Sequence, residues 1–457
     1  MNKTTTYIYP QQGRLVVLGA GESGVGAAVL ALQKGFEVFV SDNGPIAATY
    51  KEQLTEAGVP FEENGHHENH ILNASLVIKS PGIPAYAPLV IKLKTQGIPV
   101  IGEIEFAAQY TNAKLICITG SNGKSTTTML TWYILNRAGL NVGLAGNIGK
   151  SFALQVANND YKYYVLEISS FMLDDMYHFR ANIAVLLNIT PDHLDRYDHK
   201  LDNYAASKFR IIRNQLEEDI FIYCPDDEET RKRLEGHPTP AKKLPFTQQG
   251  NVSEGAFLNE QKEIEIILSQ KTTFKMSIYD LALQGKHNVY NSMASGLVAK
   301  VLELRNESIR ESMGQYKNIP HRLEHVARIA GIDYINDSKA TNVNSVWYAL
   351  ESMPGQVVLI MGGVDKGNDY NMLTDLVRSK VRGIVCLGKD NSRIHAAFEN
   401  ETSVMINTLS MEEAVQIASN IAQKDDTVLL SPACASFDLF KNYEDRGDQF
   451  KAAVREL

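Results

Sequence analysis

Short apolar runs rich in Val, Ile and Leu punctuate the chain, and apolar residues at helical spacing fill the intervals between them. The first series comprises residues 14–18, 36–40, 76–79 and 99–101. A second follows at 114–119, 141–144, 163–166 and 181–187, and a third at 334–336, 357–361, 383–387 and 427–430. Runs that stay apolar instead of alternating read as strands buried on both faces, the pattern of a parallel sheet covered by helices. The helical spacing predicts helices over about 25–34, 102–110, 126–137, 204–214 and 285–302. Strand and helix in regular alternation predict the α/β class. Residues 217–285 are more polar, with strand-like pieces at 220–223 and 271–278, and read as a more variable end of the central sheet. A chain of 457 residues suggests three domains at roughly 150 residues each. The pattern places them at 1–104, 105–318 and 319–457.

The most informative stretch is Lys114–Thr119 running into Gly120-Ser-Asn-Gly-Lys-Ser-Thr126. A buried strand, a turn with two glycines, Lys124-Ser125 and then a helix is the order that cradles phosphates. Backbone N–H groups of Gly120, Ser121, Asn122, Gly123 and Thr126 can face the phosphates. Lys124 supplies a point charge, and the Ser125 hydroxyl can ligate Mg²⁺. The loop is shorter than the usual pattern, because Ile118 stands where a glycine is customary. The bland alternative is an ordinary tight turn with a surface lysine. Glu167 ends one neighbouring run, and Asp192-His193-Leu-Asp195 follows another. Carboxylates and imidazoles at strand ends beside a phosphate loop suit a metal–nucleotide site. Asn288 and Asn291 open a predicted helix; they can read a base edge or ribose, or simply cap the helix.

The first run leads into Gly19-Ala-Gly21-Glu22-Ser23-Gly24, with Asp42 after the second run. Taken alone this is the dinucleotide fingerprint and leaves a nicotinamide-dependent oxidoreductase open. The same turn serves any diphosphate-bearing ligand, because its physics concerns backbone approach to phosphate. His66, His67 and His70 share one polar stretch; metal binding is one reading and a solvated loop the stronger one. In the third series, Asp337-Ser-Lys339-Ala-Thr341-Asn342 follows a strand and is expected to enter a helix N-terminus, a natural anion site.

Composition narrows the class. A net charge of −8 argues against nucleic acid as a partner. Four scattered cysteines without a C-x-x-C fit thiols in a reducing compartment. The polar stretch at 1–13 carries no secretion signal, and no apolar run is long enough for a membrane span. A cytoplasmic enzyme or binding protein, with no membrane partner, is expected.

Along nearly its whole length the chain resembles the ATP-dependent Mur ligases of peptidoglycan synthesis. The resemblance rests on T-G-S-N-G-K-S-T at 119–126, G-N-I-G at 146–149, L-E-I-S-S-F at 166–171, N-I-T-P-D-H-L-D-R at 188–196, H-N-V-Y-N at 287–291 and P-H-R-L-E at 320–324. It continues in D-S-K-A-T-N at 337–342, G-G-V-D-K-G at 362–367 and S-P-A-C-A-S-F-D at 431–438. The D-S-K-A-T-N and S-P-A-C-A-S motifs, with Lys441-Asn-Tyr443 after the latter, resemble the D-glutamate-adding branch, and the D-N-P-R motif of the diaminopimelate- or lysine-adding branch is absent. Tyr443 stands where phenylalanine is usual, and Pro191 where an acidic residue often precedes the Asp-His pair.

The resemblance implies a Rossmann-like N-terminal domain, a central P-loop ATPase-like domain with a mostly parallel sheet, and a Rossmann-like C-terminal domain. It implies a monomer whose substrates are ATP, UDP-N-acetylmuramoyl-L-alanine and D-glutamate, joined through an acyl phosphate, with catalysis requiring domain closure. Gly21, Glu22, Ser23, Asp42, Asn43, Ser80, Pro81, Gly82 and Asn147 would hold the UDP-sugar. Asn291, Arg322, Asp337 and Lys339 would join the loop on ATP, while Thr341, Lys366, Ser436 and Phe437 would hold D-glutamate. Two Mg²⁺ sites are implied, one on Ser125 and one on Glu167, His193 and a carbamylated Lys208. Lys124, Glu167, His193 and Lys208 are the implied catalytic set, with His193 a candidate base. The alternatives are a folate-type polyglutamylating ligase and a non-catalytic UDP-sugar or NAD sensor.

Overall fold

The computed structural model describes residues 9–269, 271–316, 320–365 and 367–457. Its strands form three sheets. The first contains β1 (Arg14–Leu18), β2 (Glu37–Ser41), β3 (Phe61–Glu62), β4 (Leu76–Lys79) and β5 (Val100–Gly102), in the order β3-β2-β1-β4-β5 and parallel throughout. The second contains β6 (Lys114–Thr119), β7 (Val142–Gly146), β8 (Tyr163–Glu167), β9 (Ile183–Leu186), β10 (Ile220–Tyr223), β11 (Lys242–Thr247), β12 (Gly255–Leu258), β13 (Glu263–Leu268) and β14 (Lys271–Ser277). Its order is β14-β13-β12-β11-β10-β9-β6-β8-β7, antiparallel only at the β12-β13-β14 end. The third contains β15 (Glu324–Ile329), β16 (Ile332–Asn336), β17 (Val357–Met361), β18 (Val381–Leu387), β19 (Met405–Thr408) and β20 (Thr427–Leu430), in the order β15-β16-β20-β17-β18-β19. Only the β15-β16 hairpin is antiparallel in that sheet.

The chain divides into two compact units. One runs to Leu281 and includes Val289–Gln315; the other comprises Ala282–Asn288 and Tyr316–Leu457. Within the first unit the first two sheets share one core, in which Leu15, Val17 and Ile78 belong with Leu115, Phe152 and Leu166. Helix Glu22–Gln33 packs against helix Phe152–Asn158, closely enough that a Cβ on Gly26 would lie 1.9 Å from the Ser151 hydroxyl. Buried Lys79 pairs with buried Asp175 at 2.6 Å. Glu105 accepts the backbone N–H groups of Tyr177, His178 and Phe179 at 3.1, 2.8 and 2.9 Å. Charges this deep persist only when paired or fully hydrogen-bonded.

The apolar runs locate the parallel strands well, with three differences. β3, β11, β12, β13, β15 and β19 were not anticipated: β3 has two residues, β13 alternates buried and half-exposed positions, β15 and β19 are largely half-exposed, and β11 contains Pro245. The helix expected from 204 begins at Leu201, ends at Phe209 and continues as a tighter turn over Arg210–Ile212. Asp337 does not open a helix; the helix Val343–Ser352 starts beyond it, capped by Asn342, whose side chain accepts the Ser345 N–H. Among the described residues no helix is long and apolar enough to cross a membrane.

Candidate active site

β6 lies between β8 and β9, so the turn after it emerges in the crevice where open parallel sheets bind ligands. Gly123 sits at φ +81° as N-cap of helix Lys124–Arg137, with no side-chain cap. A glycine is required there twice over, for the positive φ and because a Cβ would lie 2.5 Å from Asn291 Oδ1. A helix start of this kind, with its dipole facing the crevice, suits an incoming anion. The loop is held from below by the segment after β9. Ser121 N–H donates to the Asn188 carbonyl at 3.0 Å and its hydroxyl to the Thr190 carbonyl at 2.8 Å. Asn122 N–H donates to Asn188 Oδ1 at 2.8 Å, and Asn122 Nδ2 to Thr190 Oγ1 at 3.1 Å. Asn291 Oδ1 accepts the Thr127 hydroxyl at 3.1 Å, which docks its helix on the loop's helix. Ser125 and Thr126 are buried at the helix start.

Two lysines converge on one carbonyl. Lys124 Nζ donates to the oxygens of Gly120 and Ser121 at 2.9 and 2.8 Å. Lys208, fully buried, donates to the same Gly120 oxygen at 2.8 Å. Burial, and then the Lys124 charge, hold the Lys208 amine well below the ordinary lysine range, against the opposing pull of Asp192 and Asp174. Glu167 ends β8, in register with Ile118 of β6. Asn147 Nδ2 donates to its Oε1 at 2.7 Å, while its buried Oε2 has no hydrogen-bond partner among the described residues. A buried carboxylate oxygen left without a donor fits a hard cation.

His193 has φ +52°, lies 3.6 Å from Asp192 and packs edge-on to Phe171 at 5.1 Å between ring centroids. Arg196 lies over the same Phe171 ring at 4.6 Å and donates to the Gly82 carbonyl at 3.2 Å. The Asp-His loop is thereby tied to the Ser80-Pro81-Gly82 turn. Asp42 accepts the N–H groups of Ala20 and Gly44 at 2.7 and 2.9 Å, which joins the Gly21 turn to the Asn43 turn. Glu22 accepts the Ser151 N–H at 3.0 Å, close in sequence to Asn147. Exposed Gly21 and half-buried Ser23 complete this edge of the first sheet.

In the second unit the three C-terminal motifs meet. Ala433 N–H donates to the Ala340 carbonyl at 3.0 Å, and Val364 and Ala435 exchange backbone bonds at 2.8 and 3.1 Å. Asp337 accepts the Ser431 hydroxyl at 2.9 Å and the Leu323 N–H at 3.2 Å. Burial pushes its carboxyl up to about 6, with Arg322 pulling the other way. Lys339 Nζ lies 5.3 Å from the Tyr443 ring centroid. Thr341 follows after Ala340, Ser436 is buried and Phe437 is exposed. Lys366 lies outside the described residues; its neighbours are shaped by Asp365, which accepts the N–H groups of Gly367 and Asn368 at 2.7 and 2.9 Å.

Sequence reasoning missed Arg446. It is fully buried and donates through Nε and Nη2 to Ser338 at 3.0 and 2.9 Å, and through Nη1 to the Cys434 carbonyl at 3.2 Å. One guanidinium thus fastens two motifs together. It also missed Tyr204, whose buried hydroxyl meets Ser121 Oγ at 3.1 Å beneath the phosphate loop. Spacing gave a signal for Tyr204, one turn before Lys208 on the same helix; Arg446, among charged neighbours, gave none.

Comparison with known proteins shows the family. A family profile described as Mur ligase MurD-like, N-terminal domain, matches residues 13–102. One described as Mur ligase middle domain matches 118–299, and one described as Mur ligase, glutamate ligase domain, matches 321–434. Curated proteins of Porphyromonas gingivalis and Bacteroides thetaiotaomicron, both named UDP-N-acetylmuramoylalanine--D-glutamate ligase, are 55% and 56% identical, covering 97% of this chain and 98% and 100% of theirs. A Salinibacter ruber protein of the same name is 41% identical over 97% of this chain and 98% of its own. Among solved structures, UDP-N-acetylmuramate-alanine ligase MurC of Thermotoga maritima superposes with a TM-score of 0.62 at 16% identity, covering 97% of this chain and 99% of that one. MurF of Acinetobacter baumannii does so with a TM-score of 0.62 at 18% identity, covering 97% and 93%. At those identities the likeness is one of fold.

Proposed function

The chain belongs to the Mur ligase family, and from that premise we propose that it joins D-glutamate to UDP-N-acetylmuramoyl-L-alanine, cleaving ATP to ADP and phosphate. The observation that carries the reading is the glycine-started helix after β6, with Glu167 at the end of the adjacent strand keeping one buried oxygen without a donor among the described residues. A phosphate cradle beside a cation-ready carboxylate is what an acid needs to be activated by ATP. The relatives' shared name supplies the acid and the amine.

In the first step an L-alanyl carboxylate oxygen attacks the γ-phosphorus, and ADP leaves with the bridging oxygen. Two anions must meet. Lys124 and the amides of the 120–126 loop hold the phosphates, with Asn291, Arg322, Asp337 and Lys339 assigned to the rest of ATP. Ser125 would hold one Mg²⁺, and Glu167, His193 and a carbamylated Lys208 another; when bound, the ions offset the repulsion between carboxylate and phosphate and stabilise the charge on the transferring group. Carbamylation suits Lys208 because burial favours its neutral amine, the form that attacks CO₂. It also sets a negative head, in place of an amine, beside the Lys124 charge.

In the second step the neutral amine of D-glutamate attacks the acyl carbon and expels phosphate. His193, beside Asp192, is assigned as the base that takes the amine proton. Gly21, Glu22, Ser23, Asp42, Asn43, Ser80, Pro81, Gly82 and Asn147 are assigned to the UDP-sugar, and Thr341, Lys366, Ser436 and Phe437 to D-glutamate. Domain limits at 104 and 318, a cytoplasmic setting and a monomeric state complete the reading. A substrate labelled with ¹⁸O in the L-alanyl carboxylate tests the mechanism. One ¹⁸O must appear in each phosphate released; unlabelled phosphate would exclude the acyl phosphate.

A further inference from the structure

The first sheet carries a side-chain cluster that the reaction does not use. Glu62 ends β3, and its Oε2 lies 2.7 Å from His67 Nδ1 and 3.5 Å from His70 Nδ1. One ligand atom from each of the three residues lies within 4.8 Å of the others. Four-coordinate Zn²⁺ with bonds of about 2.0–2.2 Å sets neighbouring donors about 3.3–3.6 Å apart. The Glu62–His70 pair is already at that spacing, and the Glu62–His67 pair must open by about 0.6–0.9 Å to reach it.

The carboxylate is also prepared from behind. Glu62 Oε1 accepts the Ser41 hydroxyl at 2.6 Å and the His67 N–H at 3.0 Å. The Ser41 oxygen lies 2.7 Å from His66 Nδ1. Ser41 spends its one proton on Glu62, so His66 donates to Ser41. Oε1 is thus occupied by donors and Oε2 is turned toward the two imidazoles. Hydrogen bonds that fix a ligand's orientation in this way are what distinguish metal sites from chance clusters. His67 and His70 are exposed while Glu62 is largely buried, so an ion from solvent can reach the donors and a water can complete the shell.

We propose that Glu62, His67 and His70 form a surface site for a borderline divalent transition ion of the Zn²⁺ type, separate from the Mg²⁺ chemistry at the phosphate loop. Two imidazole nitrogens with one carboxylate favour Zn²⁺, Co²⁺ or Ni²⁺ over Mg²⁺, which prefers oxygen donors. The ion would tie the start of the segment Glu68–Ile71 to the end of β3. The intervening turn is already bonded to the Asp42 loop, through Asn64 N–H to the Gly44 carbonyl at 3.1 Å and Gly65 N–H to the Asp42 carbonyl at 3.3 Å.

The test uses the full chain without a histidine tag, stripped by chelator and titrated with ZnCl₂ in excess Mg²⁺ by calorimetry, beside a His67→Ala/His70→Ala variant. Both imidazoles are solvent-facing, so the variant is expected to fold. The wild type should take up one more equivalent of Zn²⁺ than the variant, show tetrahedral Co²⁺ absorption that the variant lacks, and gain thermal stability with Zn²⁺ that the variant does not. A Glu62→Gln variant should bind about tenfold more weakly or worse. Equal Zn²⁺ stoichiometry and equal thermal shifts in wild type and double variant would overturn the proposal.

Discussion

Lys208 is the residue whose chemistry the fold changes most. In sequence it is one lysine on a polar-looking helix; in the structure it is fully buried, held by one carbonyl and facing another lysine. Only the family resemblance gave it a role in advance, because burial is not legible from a single charged letter. Lys208→Met keeps the volume and removes the buried polar head. Stability should change by no more than about 1 kcal/mol, while turnover falls by about a hundredfold or more. Thermal unfolding and phosphate release measured on the same preparation check both; a variant that keeps its turnover would leave the lysine a packing residue.

Two further residues make stability depend on pH. Burial, then the Arg322 charge, pushes His287 down to about 4; burial pushes Asp337 up to about 6. As pH falls from about 6.5 toward 4 the unfolded chain takes a proton on His287 that the folded chain refuses, so this contribution to stability is lost. As pH rises from about 4 to 6 the folded chain keeps a proton on Asp337 that the unfolded chain releases, so that contribution is lost in the opposite direction. Each effect is worth about 3 kcal/mol at most, and between about pH 4 and 6 they oppose one another. His287→Gln removes the first and should leave β17 amide exchange protection falling as pH rises through that range; an unchanged pH profile would contradict the assignment.

Elements were legible where burial on both faces makes a strand read as an unbroken apolar run, as in β1, β6, β8 and β17. They were not legible where one face meets solvent, as in β13, or where a proline interrupts the run, as in β11. The Gly19–Gly24 turn shows why the fingerprint alone could not choose between NAD and a UDP-sugar. What the glycines satisfy is packing of helix on strand: a Cβ on Gly24 would lie 1.9 Å from the Gly19 carbonyl oxygen. Gly24→Ala must push helix Glu22–Gln33 off β1, with an expected loss of about 2 kcal/mol or more. Denaturant unfolding measures it, and a loss below about 0.5 kcal/mol would show that the helix start can yield.

For the whole molecule, the alternation of strand and helix announced three sheets, and the motifs announced which strand ends carry chemistry. That the first two sheets share a core and a buried Lys79–Asp175 pair was not legible, because such contacts join residues far apart in the chain. Nor was the fastening of Ser338 to Cys434 by Arg446. The central claim is the joining of one amino acid to one nucleotide-sugar acid, and it concerns both units, since the phosphate loop belongs to one and the motifs assigned to D-glutamate to the other. The most direct measurement is phosphate release from Mg·ATP with UDP-N-acetylmuramoyl-L-alanine, adding D-glutamate, L-glutamate, L-lysine or meso-diaminopimelate in turn. Release with D-glutamate alone is the predicted result. Release with another amino acid would keep the acid activation and overturn the roles given to Thr341, Lys366 and Ser436, and no release with any of them would contradict the account at its root.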